Sequence, residues 1–97
     1  MHDFSKLKNY LDVEGRVKQF PSKRNKGKLQ KLVLEYLADK FEPGVIYTEK
    51  EVNALLNQHH TFTDPAMLRR EMFENGLIHR KSDGSEYWCS YTHTNSA

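Results

Sequence analysis

Cysteine occurs once, at Cys89, so no internal disulfide is available and the cytosol is the default compartment for such a chain. No apolar stretch follows Met1, so no secretory signal is expected. Long hydrophobic runs are missing too. Leu32 to Leu37 and Val45 to Tyr47 are interrupted or far shorter than the roughly 20 apolar residues that span a bilayer, which argues against membrane insertion. The five glycines are scattered and assigned to turns, leaving none for a phosphate-cradling loop or a nucleophile elbow. No carboxylate pair has a catalytic setting, and an enzyme is not expected. A metal centre is not expected either, because His2, His59, His60, His79, His93 and Cys89 show no paired ligand spacing. His59 reads instead as a half-buried residue closing a helix stripe, and Cys89 as a small strand hydrophobe near the core. Nothing in the sequence asks for a cofactor or a small-molecule substrate.

What is present suits one soluble domain: 97 residues, 37% hydrophobic and 29% charged, enough for a single modest core. The net charge of +2 advertises no partner by itself, but its distribution is uneven. Residues 1–31 carry nine bases against three acids, residues 32–64 two bases against six acids, and residues 65–97 four of each. The acid-free run Lys23-Arg24-Asn25-Lys26-Gly27-Lys28 reads as a solvated loop that could also contact phosphates through counterion release.

Phe4, Leu7 and Leu11 at helical spacing behind Asp3, a candidate N-cap, predict a short amphipathic helix over 4–11. Arg16 to Phe20, stopped by Pro21, reads as an extended segment. From Lys28 the pattern Leu29, Leu32, Val33, Tyr36, Leu37, Phe41 predicts the main core helix, broken by Glu42-Pro43-Gly44 and followed by strand-prone Val45-Ile46-Tyr47. Thr48 and Glu51 form a capping box that starts a second helix with Val52, Leu55 and Leu56 on its apolar stripe. Asp64 followed by Pro65 opens a third helix, over about 65–75, which Gly76 ends.

Leu77 to Lys81 and Glu86 to Cys89 then flank Ser82-Asp83-Gly84-Ser85 as a β-hairpin, whose Asp-Gly pair is taken as its turn. The register sets Lys81 opposite Glu86, Arg80 beside Tyr87 and Ile78 beside Cys89. Residues 92–97 read as a flexible tail. The resulting division is an N-terminal helix and arm over 1–15, a domain over 16–91 and the tail.

This order predicts an α+β fold: a winged helix-turn-helix with an additional short N-terminal helix and extended segment. In that architecture the third helix and the hairpin wing face DNA, so Arg70, Arg80 and Lys81 join Lys23, Arg24, Lys26 and Lys28 as candidate phosphate contacts. A helical wheel puts Arg69 on the arc of Pro65, Ala66, Leu68, Met72 and Phe73, so Arg69 is assigned a structural role, packed and paired with a carboxylate. Arg70 shares the polar face with Met67, Glu71 and Glu74, whose acids oppose phosphate. Trp88 and Tyr87 are expected to pack on the first core helix.

Specific residues carry a family resemblance. They are Phe20-Pro21-Ser22-Lys23, then Phe41-Glu42-Pro43-Gly44 with Tyr47-Thr48-Glu49-Lys50-Glu51-Val52-Asn53, Asp64 with Leu68-Arg69-Arg70-Glu71, and Gly76-Leu77-Ile78 leading through Arg80 to Asp83-Gly84-Ser85-Glu86-Tyr87-Trp88. From about Arg16 to Trp88 the chain resembles the bacterial family called domain of unknown function 2087, often found fused behind a helix-turn-helix regulator domain. The resemblance implies a role as a transcription regulator or an accessory to one. Only a short helix precedes the domain in this sequence, so no separate DNA-reading domain is expected. Two readings follow: a winged helix bound to double-stranded DNA, or a protein-interaction module. In the second, the 4–11 helix and the acidic middle segment dock onto another copy or a regulator protein.

Overall fold

The computed structural model describes residues 4–21 and 23–89, and for residues 23–26 it describes the backbone helix. The expected Asp3 cap and the 92–97 tail lie outside the described residues. The fold is α+β: a 3-10 helix over Phe4–Tyr10, α1 over Lys23–Ala38, α2 over Glu49–Asn57, α3 over Pro65–Glu74, and a two-stranded antiparallel sheet of β1, His79–Arg80, and β2, Tyr87–Trp88.

α1 begins at Lys23, five residues before the first turn expected from the apolar pattern, so the basic run lies in a helix and is no loop. Hydrophobic periodicity registers only turns that bury a face, whereas Lys, Arg and Gln are good helix formers without one. Gly27 accordingly sits inside this helix and not in a turn. The Gln30 amide reaches back to the Pro21 carbonyl at 2.6 Å, fixing the entry of the chain. α1 tightens after Ala38, where the Lys40 and Phe41 amides donate to Leu37 and Ala38 at 3.0 and 3.1 Å. Phe41 then turns into the core edge-on to Tyr47, their ring centroids 5.2 Å apart.

The expected N-caps of α2 and α3 are both present. Thr48 Oγ1 accepts from the Glu51 amide at 3.1 Å while the Glu51 carboxylate accepts from the Thr48 amide at 2.8 Å. Asp64 accepts from the Met67 amide at 3.2 Å, with Pro65 opening α3. These short-range bonds fix the start of each helix, and α2 and α3 form the most extensive helix pair. Gly76, at φ +74°, supplies the left-handed step that carries the chain from α3 towards β1.

The hairpin has the expected register, His79 opposite Trp88 and Arg80 opposite Tyr87, with Lys81 donating to the Glu86 carbonyl at 3.0 Å. Its turn differs from the expected Asp-Gly form. Ser82 and Asp83 occupy the centre of a Lys81–Gly84 turn, closed by the Gly84 amide on the Lys81 carbonyl at 2.9 Å, and Gly84 follows at φ +75°. Of Val45-Ile46-Tyr47 only Tyr47 pairs, exchanging two 2.8 Å backbone hydrogen bonds with Tyr87. Tyr87 thus lies between β1 and Tyr47.

The core is continuous from Val33, Leu34 and Leu37 of α1 through Val52 and Leu56 of α2 and Leu68 and Met72 of α3 to Ile78, Tyr87 and Cys89. The Cys89 Sγ–H lies 3.4 Å from the Leu77 carbonyl and 3.7 Å from that of Ala38, joining the hairpin to the end of α1. The N-terminal segment packs on its own domain. Leu7 is fully buried, Phe4 meets Tyr36 edge-on at 5.3 Å, and the Tyr36 hydroxyl donates to the Gly15 carbonyl at 2.6 Å. Val17 pairs with Leu11 on one side and His60 on the other, its amide donating to the His59 carbonyl and its carbonyl accepting from Thr61, both at 2.8 Å. Between them the Asp12 carboxylate accepts from the Arg16 and Glu14 amides at 2.8 and 2.9 Å. The Arg16 amide, the largest influence, helps hold that carboxyl below the usual carboxylate range.

Candidate functional site

The N-terminus of α2, the outer face of α3 and the hairpin enclose a cleft of about 510 Å³. Three arginines line it, Arg69 and Arg70 from α3 and Arg80 from β1, together with three carboxylates, Glu49, Glu74 and Asp83. Phe73 and Tyr87 supply aromatic surface. Two of the arginines are committed to neighbours within the fold. Arg69, with its side chain 17% exposed, donates to Asn53 Oδ1, lies 3.8 Å from the Glu49 carboxylate and stands over the Tyr87 ring at 5.9 Å. It ties α3 to α2 and to the sheet, so its guanidinium is a cross-brace with little freedom to meet a ligand.

Arg80 lies over the Phe73 ring, 4.8 Å from its centroid, and approaches the Ser82 carbonyl at 3.4 Å. The helical wheel groups Phe73 with Leu68 and Met72, but Phe73 is 38% exposed while the other two are fully buried. The core arc of α3 is narrower than the wheel implies, and Phe73 stands at its edge. There the flat guanidinium of Arg80 covers it. Only the pairing across the hairpin turns Arg80 towards α3, and no local sequence signal carries that. Asp83 is engaged as well, accepting from the Ser85 hydroxyl at 2.7 Å and its amide at 2.9 Å, and these bonds hold its carboxyl below the usual range. Arg70 is exposed at the mouth of the cleft.

The remaining candidate cations lie elsewhere. Lys81 pairs with Glu86 across the hairpin at 3.6 Å. Lys28 is on α1, where with Lys6 and Lys31 it rims a second hollow, of about 490 Å³, floored by Leu29 and Leu32. Lys23, Arg24 and Lys26 belong to the first turns of α1, and their side chains lie outside the described residues. The cleft therefore unites Arg70 with Arg80, while the basic segment forms a separate region.

His59 is half-buried as expected, directly after the C-cap of α2, while its neighbour His60, whose backbone pairs with Val17, is buried. Its Nε2 meets Asn57 Oδ1 at 3.1 Å, and its ring stands edge-on to Phe62 at 5.6 Å. Burial lowers the pKa of both histidines, with Lys40 adding to the effect at His59 and Asp64 opposing it at His60. On β2 the core position falls to Tyr87. Trp88 projects to the other side of the strand, half-buried and 6.0 Å from the His79 ring. Among the described residues no group of three or more His, Cys, Asp or Glu side chains is arranged to hold a metal ion, and no helix is long and apolar enough to cross a membrane.

Residues 16–89 match the family described as an uncharacterized protein conserved in bacteria (DUF2087). No curated protein and no solved structure matches the chain.

Proposed function

We propose that this chain, which belongs to the DUF2087 family, is a winged helix-turn-helix that binds double-stranded DNA through its phosphates, as a transcription regulator or an accessory to one. The observation that carries the reading is that Arg70 of α3 and Arg80 of the hairpin open on one cleft, as a recognition helix and a wing would. The order of helix, bridged strand residue, two capped helices and hairpin supports it.

The carboxylates Glu49, Glu74 and Asp83 beside those arginines balance the cleft, so in this reading α3 discriminates little among base sequences. Most of the phosphate attraction then comes from Lys23, Arg24, Lys26 and Lys28 of α1, with Arg70, Arg80 and Lys81 setting orientation. The test is fluorescence anisotropy of a labelled random duplex, and of a matched RNA, at about 50 and 200 mM salt. The duplex should bind and should weaken by orders of magnitude at the higher salt. Replacing Lys23, Arg24 and Lys26 together with alanine should flatten the log–log salt slope by about 0.9 for every phosphate that is no longer neutralised. No duplex binding at the lower salt would overturn the reading, and tighter RNA binding would reassign the nucleic acid.

A further inference from the structure

Two arginines of the cleft are laid over aromatic rings, and they differ in what else they touch. Arg69, over Tyr87, also has the Asn53 amide oxygen and the Glu49 carboxylate as partners. Arg80, over Phe73, makes no ion pair among the described residues. Its hydrogen bonds are two long ones from Nη1, to the Ser82 carbonyl at 3.4 Å and the Lys81 carbonyl at 3.5 Å. The neighbouring acids are placed otherwise. Asp83 is bonded to Ser85, Glu86 pairs with Lys81, and Glu74 is exposed on α3. Glu49 reaches the same corner, its Oε1 and Arg80 Nη1 both bordering Gly84, yet its ion pair is with Arg69. Phe73 is 38% exposed beside fully buried Met72, so its outer face is given to the guanidinium and not to the core.

We infer that Phe73 is a positioning residue, whose ring holds the Arg80 guanidinium so that its remaining in-plane donors meet a DNA phosphate. The inference rests on the duplex-binding reading and deepens it. Stacking uses the flat face of a guanidinium and leaves its edge N–H groups, the ones that grip phosphate oxygens, open to a partner. A carboxylate would hold Arg80 as well, but it would occupy those donors and offset the charge. The ring does neither. A long side chain that swings freely loses that freedom on binding, whereas one already laid on a ring has lost it in the folded protein, so less entropy opposes the contact. Arg70, exposed three residues before Phe73 on the same helix, stands at the mouth of this cleft and offers the same strand a second cation.

The test is fluorescence anisotropy of the full chain with a labelled random duplex, from about 50 mM salt upwards. Arg80→Ala should weaken binding about ten-fold and flatten the log–log salt slope by about 0.9, because one phosphate is no longer neutralised. Phe73→Leu keeps the apolar bulk and removes the ring face. It should weaken binding about two- to five-fold with the slope and the urea midpoint unchanged, since the charge remains but is no longer held. Phe73→Tyr restores a face and should bind like the wild type, and in the Arg80→Ala background Phe73→Leu should add nothing. A readout without DNA is the proton resonance of the Arg80 Hδ pair, which the ring should move upfield in the wild type and in Phe73→Tyr but not in Phe73→Leu. Unshifted wild-type resonances, wild-type binding by Phe73→Leu or by Arg80→Ala, or a full further loss in the double variant would each overturn the inference and leave the DNA reading standing. In the last case Phe73 would itself be the DNA contact. A wild type that binds no duplex at the lower salt would overturn both.

Discussion

Beside α3, three arginines face three carboxylates in one cleft, and two of the arginines are also laid over aromatic rings. Along α1, three lysines stand around a leucine floor with Glu35 at its edge. By sequence the two regions look alike, each a concentration of bases near a helix. In the fold, cleft charges are largely spent on holding α3, α2 and the hairpin together, whereas the exposed rim lysines project into solvent. What a cation can offer a partner is decided by its tertiary neighbours, which a tally of bases along the chain does not reveal.

The sharpest way to break this contrast is to compare adjacent arginines. Arg69→Ala should lower unfolding stability by about 1–3 kcal/mol, because Asn53 and Glu49 lose a charged partner and Tyr87 loses its cover. Arg70→Ala should stay within about 0.5 kcal/mol of wild type while weakening duplex binding. Equal losses in urea unfolding would show that the cleft arginines are not divided between bracing and display. A smaller effect is expected where α1 holds the N-terminal segment. Tyr36→Phe leaves the Gly15 carbonyl without its donor and should cost about 1 kcal/mol, with faster amide exchange at Gly15 and Arg16 and none at α3.

Thr48→Ala, which removes one half of the capping box beside Glu49, should cost a similar 0.5–2 kcal/mol, typically about 1 kcal/mol, and loosen the cleft side instead. The gentlest probe is acid. His59 and His60 titrate lower in the fold than in the unfolded chain, so below a pH of about 6.5 the unfolded state takes up the extra protons and stability falls as the pH drops. The decline should be shallower in His60→Gln. Exchange at Val17 and Thr61 should also rise before exchange in α3, since His60 holds the N-terminal segment and not the cleft.

Local chemistry makes much of this legible in the sequence. The Thr48–Glu51 box, the Asp64–Pro65 start of α3 and the Lys81–Glu86 register depend on residues close together in the chain, and each lies where its pattern indicates. The differences arise where distant segments decide. The first turns of α1 bury no apolar stripe for periodicity to register. Val17 pairs with the His60 backbone and Tyr47 with that of Tyr87, both across long stretches of chain. At the candidate site the cations can be named from the sequence, and so can the packed, carboxylate-paired role of Arg69. The covering of Arg80 cannot, because Arg80 reaches Phe73 only after the hairpin folds back on α3.

The thiol of Cys89 gives the molecule an internal clock. Shielded between the Ala38 and Leu77 carbonyls, with 1% of the residue exposed, it meets a solvent reagent only when the strand lifts from the end of α1. Because Cys89 is the single cysteine in the chain, one labelling trace counts those excursions without any engineered probe. Its rate, divided by that of an unprotected thiol, measures how often this junction breathes.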